Sequence, residues 1–320
     1  MTNLLVLEKS SEYNHQQTDY DGLWKKVIGD LFEEFILFFA PDLFEAIDFM
    51  KGHDFLEQEL FQEIIKVKKG RNYVDKVVKV YLKDGLEKYI LIHIEVQGSQ
   101  DPELSKRMFQ YFYRLYDRFS TEVYAIAVVT DVSHSFQPEP YQYSFYGTKV
   151  IYHYNTYKFT HEAIPSLETS SNPIALAILA GIHLHLTKTD YNKRFEIKRK
   201  LLEAALDTDK YPHELYITAL FYFIDYLLQI PNTLTRELRK EIIPLIEKEA
   251  NHMIYSKQMK KSPTLADAFK QERYEGKQEG KLEERKNFAM ELIREHFSDE
   301  KIAKMTRLSV EEVRGIRKNI

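Results

Sequence analysis

The chain has 320 residues, a mass of 38.0 kDa and a formal net charge of −4, so it can bury a sizeable core in two or three domains and is not basic overall. A hydrophobic content of 44% beside 29% charged residues excludes a disordered chain, and the lack of cysteine excludes disulfides, thiolate catalysis and Cys-ligated zinc. A hard cation held by carboxylates remains available, and any basic surface for nucleic acid must be local.

The apolar run from Leu4 to Leu7 is too short for a signal peptide and lacks a basic flank. The longest apolar stretch, Ile174 to Leu186, contains His183 and His185 and falls short of a membrane span. The expectation is a cytoplasmic protein with no membrane contact.

From Leu23 to Phe39 the residues Trp24, Val27, Leu31, Phe35 and Phe38 recur at helical spacing, and Pro41 is expected to end that helix. Glu34 borders the apolar face, whereas Glu33 points away from it. A short strand is expected near Ile64 to Lys68, followed by the basic turn Lys68-Lys69-Gly70-Arg71. Asn72 to Leu82 reads as a strand, Asp84-Gly85 as a hairpin turn, and Lys88 to Gln97 as the returning strand. With period-two alternation, Ile90, Ile92, Ile94 and Val96 share one face, and His93, Glu95 and Gln97 share the other.

Gly98-Ser99 breaks that strand. Asp101 suits the N-cap and Pro102 the first position of a helix whose apolar stripe is Leu104, Met108, Phe112, Leu115 and Phe119. Arg107, Tyr111, Arg114 and Arg118 form a separate stripe. Glu122 to Thr130 and Val150 to Tyr154 read as further strands, which completes an α/β core over residues 1–155.

Beyond it the chain reads as all helical. Pro173 to Leu186, Lys193 to Leu206, Pro212 to Gln229 and Leu234 to Ile254 carry helical apolar spacing, giving a helical domain over 156–256. Residues 257–297 read as a charged connector that includes Glu275-Gly276-Lys277 and Glu279-Gly280-Lys281. Two helical glycines cost about 1 kcal/mol each, so this segment is expected to fray. Residues 298–320 form a tail of two short helices, with Thr306-Arg307-Leu308 turning between them and Ser309 with Glu312 as a capping box. Its small core is Ile302, Met305, Leu308, Val313 and Ile316. Such a helix-turn-helix would lay Arg314, Arg317 and Lys318 into a major groove, or the hairpin would pack on a partner subunit.

Hydrolysis of a phosphodiester is commonly achieved with Mg²⁺ held by one or two carboxylates, leaving room for water and phosphate. Asp75 and Glu95, on the two arms of one hairpin, supply that pair, and Gln97 is placed to orient an attacking water. His93 shares their face, where it either supports the metal ligands or, in preference, is a packed, hydrogen-bonded histidine. His183 and His185 lie on opposite faces of one helix and are poor joint ligands.

Tyr73-Val74-Asp75, the hairpin, Ile94-Glu95-Val96-Gln97-Gly98-Ser99, then Asp101, Arg107 and Tyr111 resemble the recombination-promoting nuclease/putative transposase family of the PD-(D/E)XK superfamily. Asp19-Tyr20-Asp21-Gly22-Leu23-Trp24-Lys25 is similar to that family's opening segment, and the Glu-Gly-Lys run and two-helix tail also look like its members. The resemblance implies a PD-(D/E)XK (restriction-endonuclease-like) α/β core followed by an all-helical region. It implies a DNA endonuclease dependent on Mg²⁺ (or Mn²⁺) and linked to recombination or mobile elements. Asp75 and Glu95 would be metal ligands, joined by Asp21 or Glu34 from the first helix. Gln97 would stand where the wider superfamily has Lys, and a neutral amide cannot match that charge. Arg107 and Tyr111 would lie nearest the scissile phosphate. DNA is the expected partner, and the helical carboxy-terminal half offers a surface for a homo-oligomer. The alternative is a catalytically weak DNA-binding or protein-interaction module that keeps the nuclease scaffold.

Overall fold

Asp19 caps the first helix, α1 (Tyr20–Asp30), its carboxylate accepting from the Gly22 amide at 2.9 Å. The computed structural model describes residues 19–56, 74–95, 103–129, 139–249 and 259–318. Where the sequence predicts one helix to Phe39, the chain breaks at Leu31 (φ −124°, ψ 42°) and restarts as α2 (Phe32–Phe39). Gly29-Asp30 is a weak helix-forming pair, and a Cβ at Gly29 would stand 2.8 Å from Lys76 Nζ. Pro41 does not follow the end of a helix as a mere stop. It opens α3 (Pro41–Ala46).

The strands β1 (His53–Phe55), β2 (Val74–Tyr81) and β3 (Glu87–Glu95) form an antiparallel meander. The β2–β3 turn uses Gly85 at φ +87°, and Asp84 accepts from the Leu86 amide at 2.9 Å, as Asp-Gly predicts. The expected strand near Ile64 to Lys68 lies outside the described residues. Helix α4 (Leu104–Phe119) follows, with Glu103 at its cap position; Asp101 and Pro102 lie outside the described residues. It crosses over to β4 (Val123–Val129), which runs parallel to β3.

Among the described residues two short strands, β5 (Tyr141–Phe145) and β6 (Thr148–Tyr152), pair only with each other, and β7 (Asn155–Lys158) then returns parallel to β4. The strand predicted over Val150 to Tyr154 is therefore mostly the second arm of a side hairpin. The main sheet has the order β1-β2-β3-β4-β7, a mixed sheet in a mixed α/β architecture. Val77, Tyr89, Ala125, Ala127 and Val129 face α4. Val78, Val80, Ile90, Ile126 and Val128 alternate to the other face, which α1 and α2 cover.

Lys76 shares that second face, its ammonium 4.0 Å from the centre of the Phe55 ring. Burial, abetted by Lys25 and Lys26 and opposed by Asp30, holds it down to about 8, against an ordinary 10.5. The folded-state value lies below the unfolded one, so the cost of burying the charge is full below pH 8 and is relieved as pH climbs to 10.5. Lys76→Met should therefore melt higher than the native chain at neutral pH, and the gap should close through that window. A gap that stays constant to pH 10.5 would show that the Lys76 charge carries no such cost.

The helices α5 (Ile164–Thr169), α6 (Pro173–Leu186), α7 (Tyr191–Ala205), α8 (Glu214–Leu227) and α9 (Asn232–Glu249) pack on one another, with α8 against α1 and α6 against α2. Pro173 to Ile182 are buried without interruption, as expected of a helix apolar on every side. Trp24 of α1 meets Phe223 of α8 edge-on at 4.8 Å. Between α7 and α8, Lys198 and Asp225 form an ion pair of 2.6 Å with side chains 1% and 0% exposed. Met1–Ser262 and Pro263–Ile320 are the two compact units. None of the helices among the described residues is long and apolar enough to cross a membrane.

In the second unit, α10 (Ala266–Arg294) runs unbroken through both glycines for 29 residues. It is followed by α11 (Asp299–Thr306) and α12 (Val310–Lys318), with Arg307 left-handed at φ 59° between them. The capping box forms: the Ser309 amide donates to Glu312 at 2.7 Å, and the Glu312 amide donates to Ser309 Oγ at 3.1 Å. The core differs from expectation. Ala289, Leu292 and Ile293 from the end of α10 join Ile302, Leu308 and Val313, while Met305 is left exposed. The third helix supplies the apolar surface that two short helices lack. Arg317 donates to Asp299 at 2.8 Å and to the Phe297 carbonyl at 2.7 Å, so it braces the tail.

Candidate active site

The antiparallel register sets Asp75 opposite His93, and the parallel register sets His93 beside Ala127 and Glu95 beside Val129. Alternation then places positions 75, 93 and 95 on the face of Val77, Ala127 and Val129, the face that α4 covers. Asp75 and Glu95 are diagonal neighbours across the pair, about 7–8 Å apart at the backbone.

The height of α4 over the sheet is set at its far end, where Phe119 stacks on Tyr89 at 4.2 Å. Because β4 runs parallel to β3, α4 must run back along them. At about 1.5 Å per helical residue, Tyr111 stands about 12 Å and Arg107 about 18 Å from that stack. Positions 93 and 95 stand about 13 Å and 20 Å from Tyr89 along the strand. Tyr111 is thus level with position 93, and Arg107 with position 95.

Both helix residues are buried, Arg107 at 8% and Tyr111 at 2% exposure, together with Leu104, Met108 and Leu115. The sequence assigned them to a stripe apart from the apolar one, and the structure corrects this. Helix α4 is enclosed on two sides: Phe112 turns to Tyr152 of the side hairpin, ring centres 4.8 Å apart, while Tyr111 packs with Val77, Ala127 and Val129 of the sheet and Arg107 is buried near Tyr154. Arg114 is half-buried and Arg118 exposed, so the stripe grades outward along the helix.

Ser105 and Tyr154 join this end of α4, and sequence reasoning did not single them out. The Tyr154 hydroxyl lies 3.3 Å from both Ser105 Oγ and the Glu139 carbonyl, which Ser105 also meets at 2.6 Å. Burial pushes the Tyr154 hydroxyl up, while the Ser105 contact and the nearby Arg107 charge pull it back. A tyrosine two residues beyond a strand offers no periodic signal for such a role.

The remaining candidates are distributed differently. Asp21 lies in the first turn of α1. Glu34, on α2, accepts from the Tyr216 hydroxyl of α8, and its main-chain carbonyl accepts from Asn172 Nδ2 at 2.9 Å. It is committed to the helical side of the sheet and is not brought to Asp75 and Glu95. Gln97 lies outside the described residues. Among the described residues no three His, Asp or Glu side chains group to hold a metal ion. Neither a family model nor a curated protein nor a solved structure matches the chain.

Proposed function

We propose that the chain is a metal-dependent DNA endonuclease on a PD-(D/E)XK core, with Asp75 and Glu95 as its ligands for Mg²⁺ or Mn²⁺. The observation that carries this reading is the diagonal placement of two acidic positions on neighbouring strands, with Arg107 and Tyr111 level with them on the covering helix. The element order supports it: a helix, an antiparallel three-strand meander, a crossover helix and a parallel strand. Asp75, Glu95, Arg107 and Tyr111 are among the residues that carry the family resemblance, which extends the proposal to recombination or mobile elements.

A divalent cation would supply charge against the scissile phosphate and ease deprotonation of water. The protein's own groups divide the rest. Asp75 and Glu95 would hold the cation, Arg107 would offset charge on phosphate oxygens, and the Tyr111 hydroxyl would donate a hydrogen bond. Gln97 orients water without adding charge, which implies slow turnover. Glu34 has no part in this scheme.

Direct metal binding tests the assignment. One Mn²⁺ should bind per chain in a spin-resonance titration, with density between Asp75 and Glu95 in a soaked crystal. Equal binding by Asp75→Asn would end the proposal. A gradient along α4 is also expected. Arg107→Met should slow cutting roughly a hundredfold and Tyr111→Phe about tenfold, because each removes a donor aimed at developing charge. Arg118→Ala should act only on affinity at raised salt. Equal small losses at all three positions would reduce α4 to a generic basic surface.

A further inference from the structure

The outer edge of β5 is unguarded. Tyr146 (φ 46°) and Gly147 (φ 110°) form the two-residue turn of the side hairpin, which sets Phe145 opposite Thr148. The pair flanking such a turn exchanges both main-chain hydrogen bonds, so Tyr141, Tyr143 and Phe145 bond inward to β6. Gln142 and Ser144 then direct their amides and carbonyls outward. Both residues are exposed, and among the described residues neither has a main-chain partner beyond the hairpin. Folded proteins normally blunt such an edge with a charge, a proline or a bulge. Strand β6 carries Lys149, whereas Tyr141-Gln142-Tyr143-Ser144-Phe145 carries none of these devices.

The strand is complementary to itself. Laid antiparallel about a two-fold axis at Tyr143, it sets Gln142 opposite Ser144 of a second copy and Tyr141 opposite the second copy's Phe145. The Gln142–Ser144 pairs use all the outward groups, about four hydrogen bonds in total, and no charge meets a like charge. Any other centre within the strand opposes Gln142 or Ser144 to Pro140, which has no amide hydrogen, or to Tyr146, which is inside the turn. A row of neutral side chains also offers nothing to an acidic or basic peptide. The hairpin root is fixed, since Tyr141 stacks on Phe109 and Tyr152 on Phe112, each pair with ring centres 4.8 Å apart. Antiparallel pairing lays each hairpin tip beside the other root, where Phe145, 61% exposed in the single chain, gains cover.

We propose that two copies of this chain associate edge to edge through β5, joining their side hairpins into one continuous sheet about a two-fold axis at Tyr143. This interface is distinct from the helical carboxy-terminal half, and it does not depend on the nuclease reading.

Sedimentation velocity of the full chain from about 1 to 100 µM should show a monomer–dimer equilibrium, because an interface this small fits micromolar affinity. Ser144→Pro should weaken dimerisation at least about tenfold with melting of the monomer unchanged, since residue 144 gives no hydrogen bond to β6. Tyr143→Lys should do the same by setting like charges face to face. The chain has no cysteine, so Tyr143→Cys supplies a single thiol. Across the axis its two copies would stand about 4.5 Å apart at Cα, within disulfide reach, and mild oxidation should link them. Lys149→Cys, on β6, should stay unlinked. A native chain that remains monomeric at the top of the concentration range overturns the proposal, as does a dimer that Ser144→Pro leaves intact. Linking through Lys149→Cys but not Tyr143→Cys would also overturn it, by moving the contact to β6. So would protection of the Gln142 and Ser144 amides from hydrogen exchange at every concentration, which would show the edge covered by the chain's own residues.

Discussion

Asp75→Asn and Glu95→Gln are each expected to reduce divalent-metal-dependent cutting of DNA by roughly a thousandfold or more, with melting almost unchanged. A bound cation contributes several kcal/mol of charge stabilisation, and each 1.36 kcal/mol is a factor of about ten in rate. Both substitutions keep side-chain shape and remove one anionic charge, so the loss would report on the cation and not on packing. Since the two positions are diagonal neighbours, the double variant should be scarcely worse than either single one. The check is a nicking assay on supercoiled DNA with Mg²⁺, Mn²⁺ and EDTA, beside thermal melts. Undiminished cutting by either variant, or full activity in EDTA, would remove the assignment.

The second large effect concerns stability. Asp225→Ala should destabilise the first unit by about 3–5 kcal/mol, because it strands the Lys198 ammonium in a dry interior. For a unit of this size that is a melting drop of roughly 6–20 °C. Lys198 donates to Asp225 Oδ1 at 2.6 Å and to the Asp225 carbonyl at 3.0 Å, so no nearby group replaces the lost carboxylate on the same geometry. Replacing both partners, Lys198→Met with Asp225→Leu, should recover most of the loss, since an apolar pair of like volume avoids the desolvation penalty. A single variant that melts within about 2 °C of the native chain would mean that solvent reaches the pair after all.

The β2–β3 hairpin was readable because alternation and Asp-Gly turn chemistry act within a few residues. The placement of Asp75 and Glu95 on one face follows from the same local rules. Other features depend on what lies across the fold. Lys76 fills the space beside Gly29, close to the break at Leu31, from forty-odd residues on. The burial of Arg107 and Tyr111 depends on α4 being enclosed by two sheets at once, and periodicity on one helix cannot register a second neighbour. The hairpin β5–β6 has an apolar face only in company with Phe109 and Phe112. Lys198 and Asp225 belong to two different helices, and only the packing of α7 on α8 pairs them.

One contact has a further consequence. The Tyr89–Phe119 stack lies at the opposite end of α4 from Arg107, yet it acts as a shim for the whole helix. A helix is stiff along its axis, so thinning or thickening the packing at residue 119 would tilt or slide all of it. Arg107, some 18 Å away, would then lose its level with position 95. Residue 119 thus gauges the clearance of a site it never touches, and a change there would appear as poor alignment rather than missing chemistry.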